Sequence, residues 1–234
     1  MTKKNKFDFS NRDNLVINLQ DLSKEKNLIL PKNADTVVLS FSKLPVKEYD
    51  FSGINNLLIF DSDLSNATKL ILPNQATTIR AEGAKIPVDD YNLSGVKKLI
   101  LASVNLSHEK KLTLPKNAEL LELEDIKLPA GEYDFSGIKK LIISSTNLKL
   151  VTKIILPKNA ELLELEHIKL PAGEYDLSDV KYLSLHHTDF SVATKLILPE
   201  KSCIHGLETA KLPMHMHNNI VNTIKETFNQ EKTR

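Results

Sequence analysis
The chain has 234 residues, 41% of them apolar, and its 31 basic side chains against 30 acidic ones leave a net charge of +1. That balance gives no electrostatic ground for nucleic-acid binding, and no apolar run reaches the roughly 18 to 20 residues of a membrane span. A single cysteine, Cys203, excludes an internal disulfide and fits a reducing compartment.

The amino terminus, MTKKNK, is basic, but FDFSNRDN follows it instead of the apolar core of a signal peptide. The expected location is therefore the cytoplasm, or the outside by a route without a cleavable signal. At Phe7 a frame opens that returns at Tyr49, Tyr91, Tyr133 and Tyr175, every interval being 42 residues. A strict period of this length means that one supersecondary unit is stacked repeatedly, each copy covering the apolar face its neighbour leaves open. The first copy, residues 7–48, is worn. Arg12 stands where Ile54, Val96, Ile138 and Val180 recur, and Ser42 where Ile126 and Ile168 do, as expected of an amino-terminal cap facing water.

Repeats 2 to 4 form the regular body. Each begins with a turn signature, Asp50-Ser52-Gly53, Asn92-Ser94-Gly95 and Asp134-Ser136-Gly137, in which the polar side chains bond nearby amides and glycine accepts positive φ. The unit is itself double: offsets of 22 and then 20 residues superpose its apolar positions. An L-x-L step gives a strand with one buried face. In-register strands would align Leu99, Leu121, Leu141, Leu163 and Leu183 in one ladder and Leu101, Leu123, Ile143, Leu165 and Leu185 in the next. A third column alternates large and small, Val96, Ala118, Ile138, Ala160, Val180, as facing layers without voids require. A fourth, Lys97, Glu119, Lys139, Glu161, Lys181, alternates in charge and is expected to pair across strands and set the register.

These residues resemble the leucine-rich repeats, whose signature can be followed through VKKLILASVNL (Val96 to Leu106) and IKKLIISSTNL (Ile138 to Leu148), with Asn105 and Asn147 one place later than the family's asparagine. The Leu-Pro steps at Pro73, Pro115, Pro157 and Pro199 make the chain similar to bacterial repeats of the BspA-like kind. The resemblance covers residues 7–213. It implies a mainly β fold, a leucine-rich-repeat-like β-solenoid with a parallel sheet and short irregular or 3-10 connections. It also implies a bacterial protein, a secreted effector acting in virulence or a surface adhesin.

Repeat 5 departs from the pattern, with Asp179 at the glycine position and His205 at a leucine position. Beyond it, in residues 214–234, Ile220, Ile224 and Phe228 recur every four residues, predicting a carboxy-terminal capping α-helix. Six of the seven histidines lie beyond residue 166. The offsets place His187 beside His167, and His186 between Glu166 and Glu208, making His167, His186 and His187 weak metal candidates and a potential pH-sensitive cluster. The alternative is an exposed polar patch.

No phosphate-cradling loop, HExxH, cysteine pair or Ser/His/Asp spacing is present, so the expectation is a non-enzymatic chain without a cofactor. Function then rests on shape. Solenoids recognise proteins through the varying side chains of an extended face. The candidate partner-binding residues are Leu58, Ile100, Glu122, Glu124, Ile142, Ser144, Glu164, Glu166, Ser184 and His186, whose apolar and acidic stripes suit a protein partner with basic and apolar groups. A monomer is expected.

Overall fold
The computed structural model describes residues 6–108, 111–200 and 204–216. In chain order its strands are β1 (Asn14–Asn18), β2 (Thr36–Ser40), β3 (Glu48–Asp50), β4 (Asn56–Phe60), β5 (Lys69–Ile71), β6 (Thr78–Glu82), β7 (Asp90–Asn92), β8 (Lys98–Ala102) and β9 (Lys111–Thr113). They continue with β10 (Leu120–Glu124), β11 (Gly131–Asp134), β12 (Lys140–Ser144), β13 (Val151–Ile155), β14 (Leu162–Glu166), β15 (Glu174–Asp176), β16 (Leu183–Ser184), β17 (Lys195–Ile197) and β18 (Ile204–His205). β1 and all the even-numbered strands form one ten-stranded parallel sheet in chain order. The other odd-numbered strands pair as β3–β5, β7–β9, β11–β13 and β15–β17. The chain is thus a mainly β, parallel β-solenoid of about nine turns.

The inward columns form as the alternation dictates. Leu99, Leu121, Leu141, Leu163 and Leu183 are register partners, each fully buried. The next column, from Leu101 to Leu185, and the large-small column Val96, Ala118, Ile138, Ala160, Val180 are likewise buried. After the long strand the coil closes in the left-handed region: Leu19, Phe41, Asp61, Ser103, Asp125, Ser145 and His167 directly follow their strands, and His187 lies three residues past β16, all with φ between 43° and 54°, while Gly83 and Gly206 share the conformation. This corner turns the chain off the sheet.

The residue after the corner points back inside. Ser42 is 3% exposed, so it does not face water as a cap residue would; its hydroxyl donates to the Ser40 carbonyl at 2.7 Å. Ser62, Thr146 and Thr188 occupy the same column and donate to the carbonyls of Phe60, Ser144 and Leu165. A buried hydroxyl satisfied by the backbone carries little penalty, which is why polar and aliphatic residues both occur there.

The connections are more regular than the sequence suggests, because the returning segments pair as short strands. Within the first strand of each pair a tyrosine is clamped: Tyr49, Tyr91, Tyr133 and Tyr175 donate to the carbonyls of Pro45, Pro87, Pro129 and Pro171 at 2.6 to 3.1 Å. Burial pushes the Tyr133 and Tyr175 phenols up to about 12. The turn signatures act as read: Asp50, Asn92, Asp134 and Asp176 each accept the amide two residues on, at 3.0 to 3.2 Å. The glycine reading needs correction. Gly137 lies outside the left-handed region; it is required because a Cβ there would sit 2.0 Å from the Asn117 side chain of the coil before.

The charge column also needs correction. Glu119 and Lys97, and Glu161 and Lys139, do meet through their backbones. The ion pair at this corner, however, is Lys98–Glu119 at 3.8 Å. Exposed long side chains gain too little from pairing to be fixed by alignment alone. The better-formed cross-coil pairs are Lys116–Asp134 at 2.5 Å and Lys158–Asp176 at 2.8 Å, where the aspartate is already held by its turn.

Among the described residues there is no α-helix. The carboxy-terminal capping helix expected over residues 214–234 falls outside them, apart from a 3-10 turn at Met214–Met216 that follows another at Leu207–Thr209.

Candidate interaction face
The outward residues of the long strands form three rows. The middle row runs Val16, Val38, Leu58, Arg80, Ile100, Glu122, Ile142, Glu164, Ser184, His205. The row beside it runs Asn18, Ser40, Phe60, Glu82, Ala102, Glu124, Ser144, Glu166. Eight of the ten candidate residues, Leu58, Ile100, Glu122, Glu124, Ile142, Ser144, Glu164 and Glu166, therefore share one continuous outer face. Ser184 shares its register but is 3% exposed and donates to Glu166 Oε1 at 3.0 Å. His186 lies past the end of β16, its ring over Gly206, where an added Cβ would meet it at 2.6 Å.

Isoleucine and glutamate alternate from Ile100 to Glu164, so like residues recur about 9.6 Å apart, two strand spacings. Partial burial raises the Glu122 carboxyl, with Glu124 and Glu82 adding to the rise and Arg80 opposing it. Burial and then Glu166 and Glu122 raise Glu164. None of Glu122, Glu124, Glu164 and Glu166 forms an ion pair among the described residues, whereas Glu82 is held by Arg80.

Toward β1 the same face changes character. Val16, Val38, Leu58 and Phe60 sit side by side, and the exposed Leu19 and Phe41 adjoin them at the corner. Of these only Leu58 is evident from the repeat frame. Val16, Leu19, Val38 and Phe41 occupy the worn first copy, where alignment to the regular repeats is weakest, and Phe60, in repeat 2, aligns with Ala102 and Ser144.

At the other end His167 and His187 stack with ring centroids 4.6 Å apart, and Tyr182 stacks on His205 at 4.7 Å. The described residues hold no group of three or more His, Cys, Asp or Glu side chains that could hold a metal ion. No buried side-chain nitrogen or oxygen among them lacks a hydrogen-bond partner. His217 lies outside the described residues. No described helix is long and apolar enough to cross a membrane. The chain matches no protein-family model, no curated protein and no solved structure.

Proposed function
We propose that the chain is a non-enzymatic protein-interaction scaffold of leucine-rich-repeat-like type, binding its partner through the outer face of the ten-stranded sheet. One observation carries this reading: the register-aligned row Ile100, Glu122, Ile142, Glu164, in which aliphatic side chains alternate with carboxylates that form no ion pair among the described residues. A face that served only to shield the core has no need to alternate isoleucine with glutamates whose carboxyls are raised by burial and then by neighbouring carboxylates. The complementary partner is a protein surface with cationic groups spaced to meet the glutamates and apolar groups between them. With no catalytic constellation in the sequence, presentation of this surface is the activity. The bacterial-effector reading rests on the Leu-Pro steps and the L-x-L ladder, and the surface-adhesin reading on the same residues.

The test is a pull-down from host-cell lysate, comparing wild type with Ile100→Asp and Ile142→Asp. Both substitutions lie on the outer face and should leave the melting transition in place while abolishing capture of the partner. A partner retained by both variants would refute the assignment of this face.

A further inference from the structure
We infer that the flank of the solenoid past the left-handed corner binds an acidic peptide, one carboxylate of which docks on Lys127 between Asn105 and Asn147 while a neighbouring apolar side chain enters the groove beside Asn147. This flank is separate from the outer face of β8 to β14, so the inference is independent of the partner-binding reading above.

Two residues past the corner, lysine alternates from coil to coil with an acid or its amide. Asp21, Asp63 and Asp189 hold acid places, Asn105 and Asn147 the amide ones, and Lys43, Lys85, Lys127 and Lys169 lie between. At every aspartate the column closes through the backbone: Asp21 bridges Lys43, Asp63 bridges Lys43 and Lys85, and Asp189 bridges Lys169 and Lys211. At the asparagines it opens. Among the described residues Asn105 bridges neither neighbour, and Asn147 bridges Lys127 but not Lys169.

Asp189 shows the chemistry around which the column is built. Its carboxylate, 18% exposed, lies 3.9 and 4.0 Å from the Lys169 and Lys211 Nζ atoms. Burial works against that charge, but Ser191 and then the two lysines hold the carboxyl below its usual range. The local turn does not dictate the change to asparagine. Asp63, Asn105, Asn147 and Asp189 all accept the amide two residues on, at 2.8 to 3.1 Å, a bond that either side chain makes. What asparagine removes is the anion. Lys127 then stands between two amides and forms no ion pair among the described residues. The Oδ1 atoms of Asn105 and Asn147 are engaged in their turns, and their Nδ2 groups make no hydrogen bond among the described residues. One ammonium with two amide donors and no open acceptor is the complement of a carboxylate.

Where the column opens between Asn147 and Lys169 lies a groove of about 500 Å³, lined by the apolar Leu148, Leu170, Pro171 and Val192 and by Lys149 and Lys169. Val192 is 42% exposed, and Lys149, like Lys127, forms no ion pair among the described residues. From Lys85 to Lys169 the column spans four coil steps, roughly 19 Å, the reach of about six extended residues. A single small carboxylate would leave most of that length unused. A peptide with acidic and apolar side chains uses both the donors and the groove, which selects it as the occupant.

Fluorescence anisotropy of the full chain with a labelled hexapeptide alternating glutamate and leucine tests the site. Lys127→Gln, Asn105→Asp, Asn147→Asp and Ile142→Asp are compared with wild type, and a peptide with glutamine in place of glutamate is the control. The expected result is saturable, salt-sensitive binding by wild type with a Kd below about 1 mM, unchanged in Ile142→Asp. Binding should be at least ~10-fold weaker in the other three variants and with the control peptide. Asn147→Asp supplies the missing carboxylate from within, as Asp63 and Asp189 do, and should melt at the same or a higher temperature, which separates a filled site from a damaged fold. No saturable binding by wild type, or binding that survives both Lys127→Gln and Asn147→Asp, overturns the inference. So does a wild-type chain that ignores the peptide yet sediments with phosphatidylcholine–phosphatidylserine vesicles, which would assign these lysines to a lipid surface.

Discussion

The two faces of the ten-stranded sheet are made by the same five-residue strands and obey opposite rules. Inward, Leu141, Ile143, Leu163 and Leu165 are fully buried and interchangeable from coil to coil. Outward, Ile142 and Glu164 alternate, Phe60 adjoins Glu82, and the carboxylates of Glu122 and Glu164 are raised by burial and then by neighbouring carboxylates. Repetition is thus enforced where neighbouring coils must interlock, and relaxed where a side chain meets only solvent or a partner. In a repeat protein the departures from periodicity carry more information about function than the period does.

Substitutions at adjacent positions sharpen this contrast most. Leu141→Ala or Leu163→Ala should cost about 2–5 kcal/mol as buried truncations, whereas Ile142→Ala, one residue away, should cost about 1 kcal/mol or less. Chemical denaturation of the three variants checks the ratio, and equal losses would erase the distinction between the faces. Next in size is Tyr133→Phe, which keeps the buried ring but leaves the buried Pro129 carbonyl without its donor. The expected loss is about 1–3 kcal/mol, measured by the same method.

The smallest effect is in pH dependence, where the two groups of acids have opposite signs. Burial works against the Asp134 carboxylate, but the bonds from Lys116 and Ser136 outweigh it and hold it at about 2. Asp176 is held at about 2 by Lys158 and then Ser178. Both fold-state values lie below the ordinary 3.8, so their stabilisation is present above that value and is lost as pH falls toward 2. Glu122 and Glu164 are raised above 4.5, so the folded state binds their protons more tightly and stability gains as pH falls toward 4.5. Melting temperature should therefore rise slightly on acidification from neutrality and drop below about pH 4. Glu122→Gln with Glu164→Gln should raise the melting temperature at pH 7 and remove the rise, leaving the fall.

Much of this was legible in the residues because a period of two inside a period of 42 leaves little freedom. The leucine columns, the large-small column and the outer row follow from spacing alone. The left-handed corner does not, since its occupants range from Leu19 through Gly83 to His187 and share no side-chain chemistry. The tyrosine clamp was written as a Pro-x-x-x-Tyr spacing from Pro45–Tyr49 to Pro171–Tyr175, but a hydrogen bond to a carbonyl leaves no mark on the accepting residue. The alternating Lys and Glu predicted register correctly and ion pairs incorrectly. Backbone pairing decides the first, and side-chain entropy against solvation decides the second.

The parallel sheet has a kinetic consequence. Parallel β proteins ordinarily fold slowly because their strands meet across long stretches of chain. Here each strand of the large sheet joins one only 20 to 22 residues away, as Leu121 does with Leu99 and Leu141. Over 234 residues that separation is a relative contact order of roughly 0.09, within the range of helical bundles. A refolding chain can nucleate at any adjacent pair of coils and zip outward in both directions.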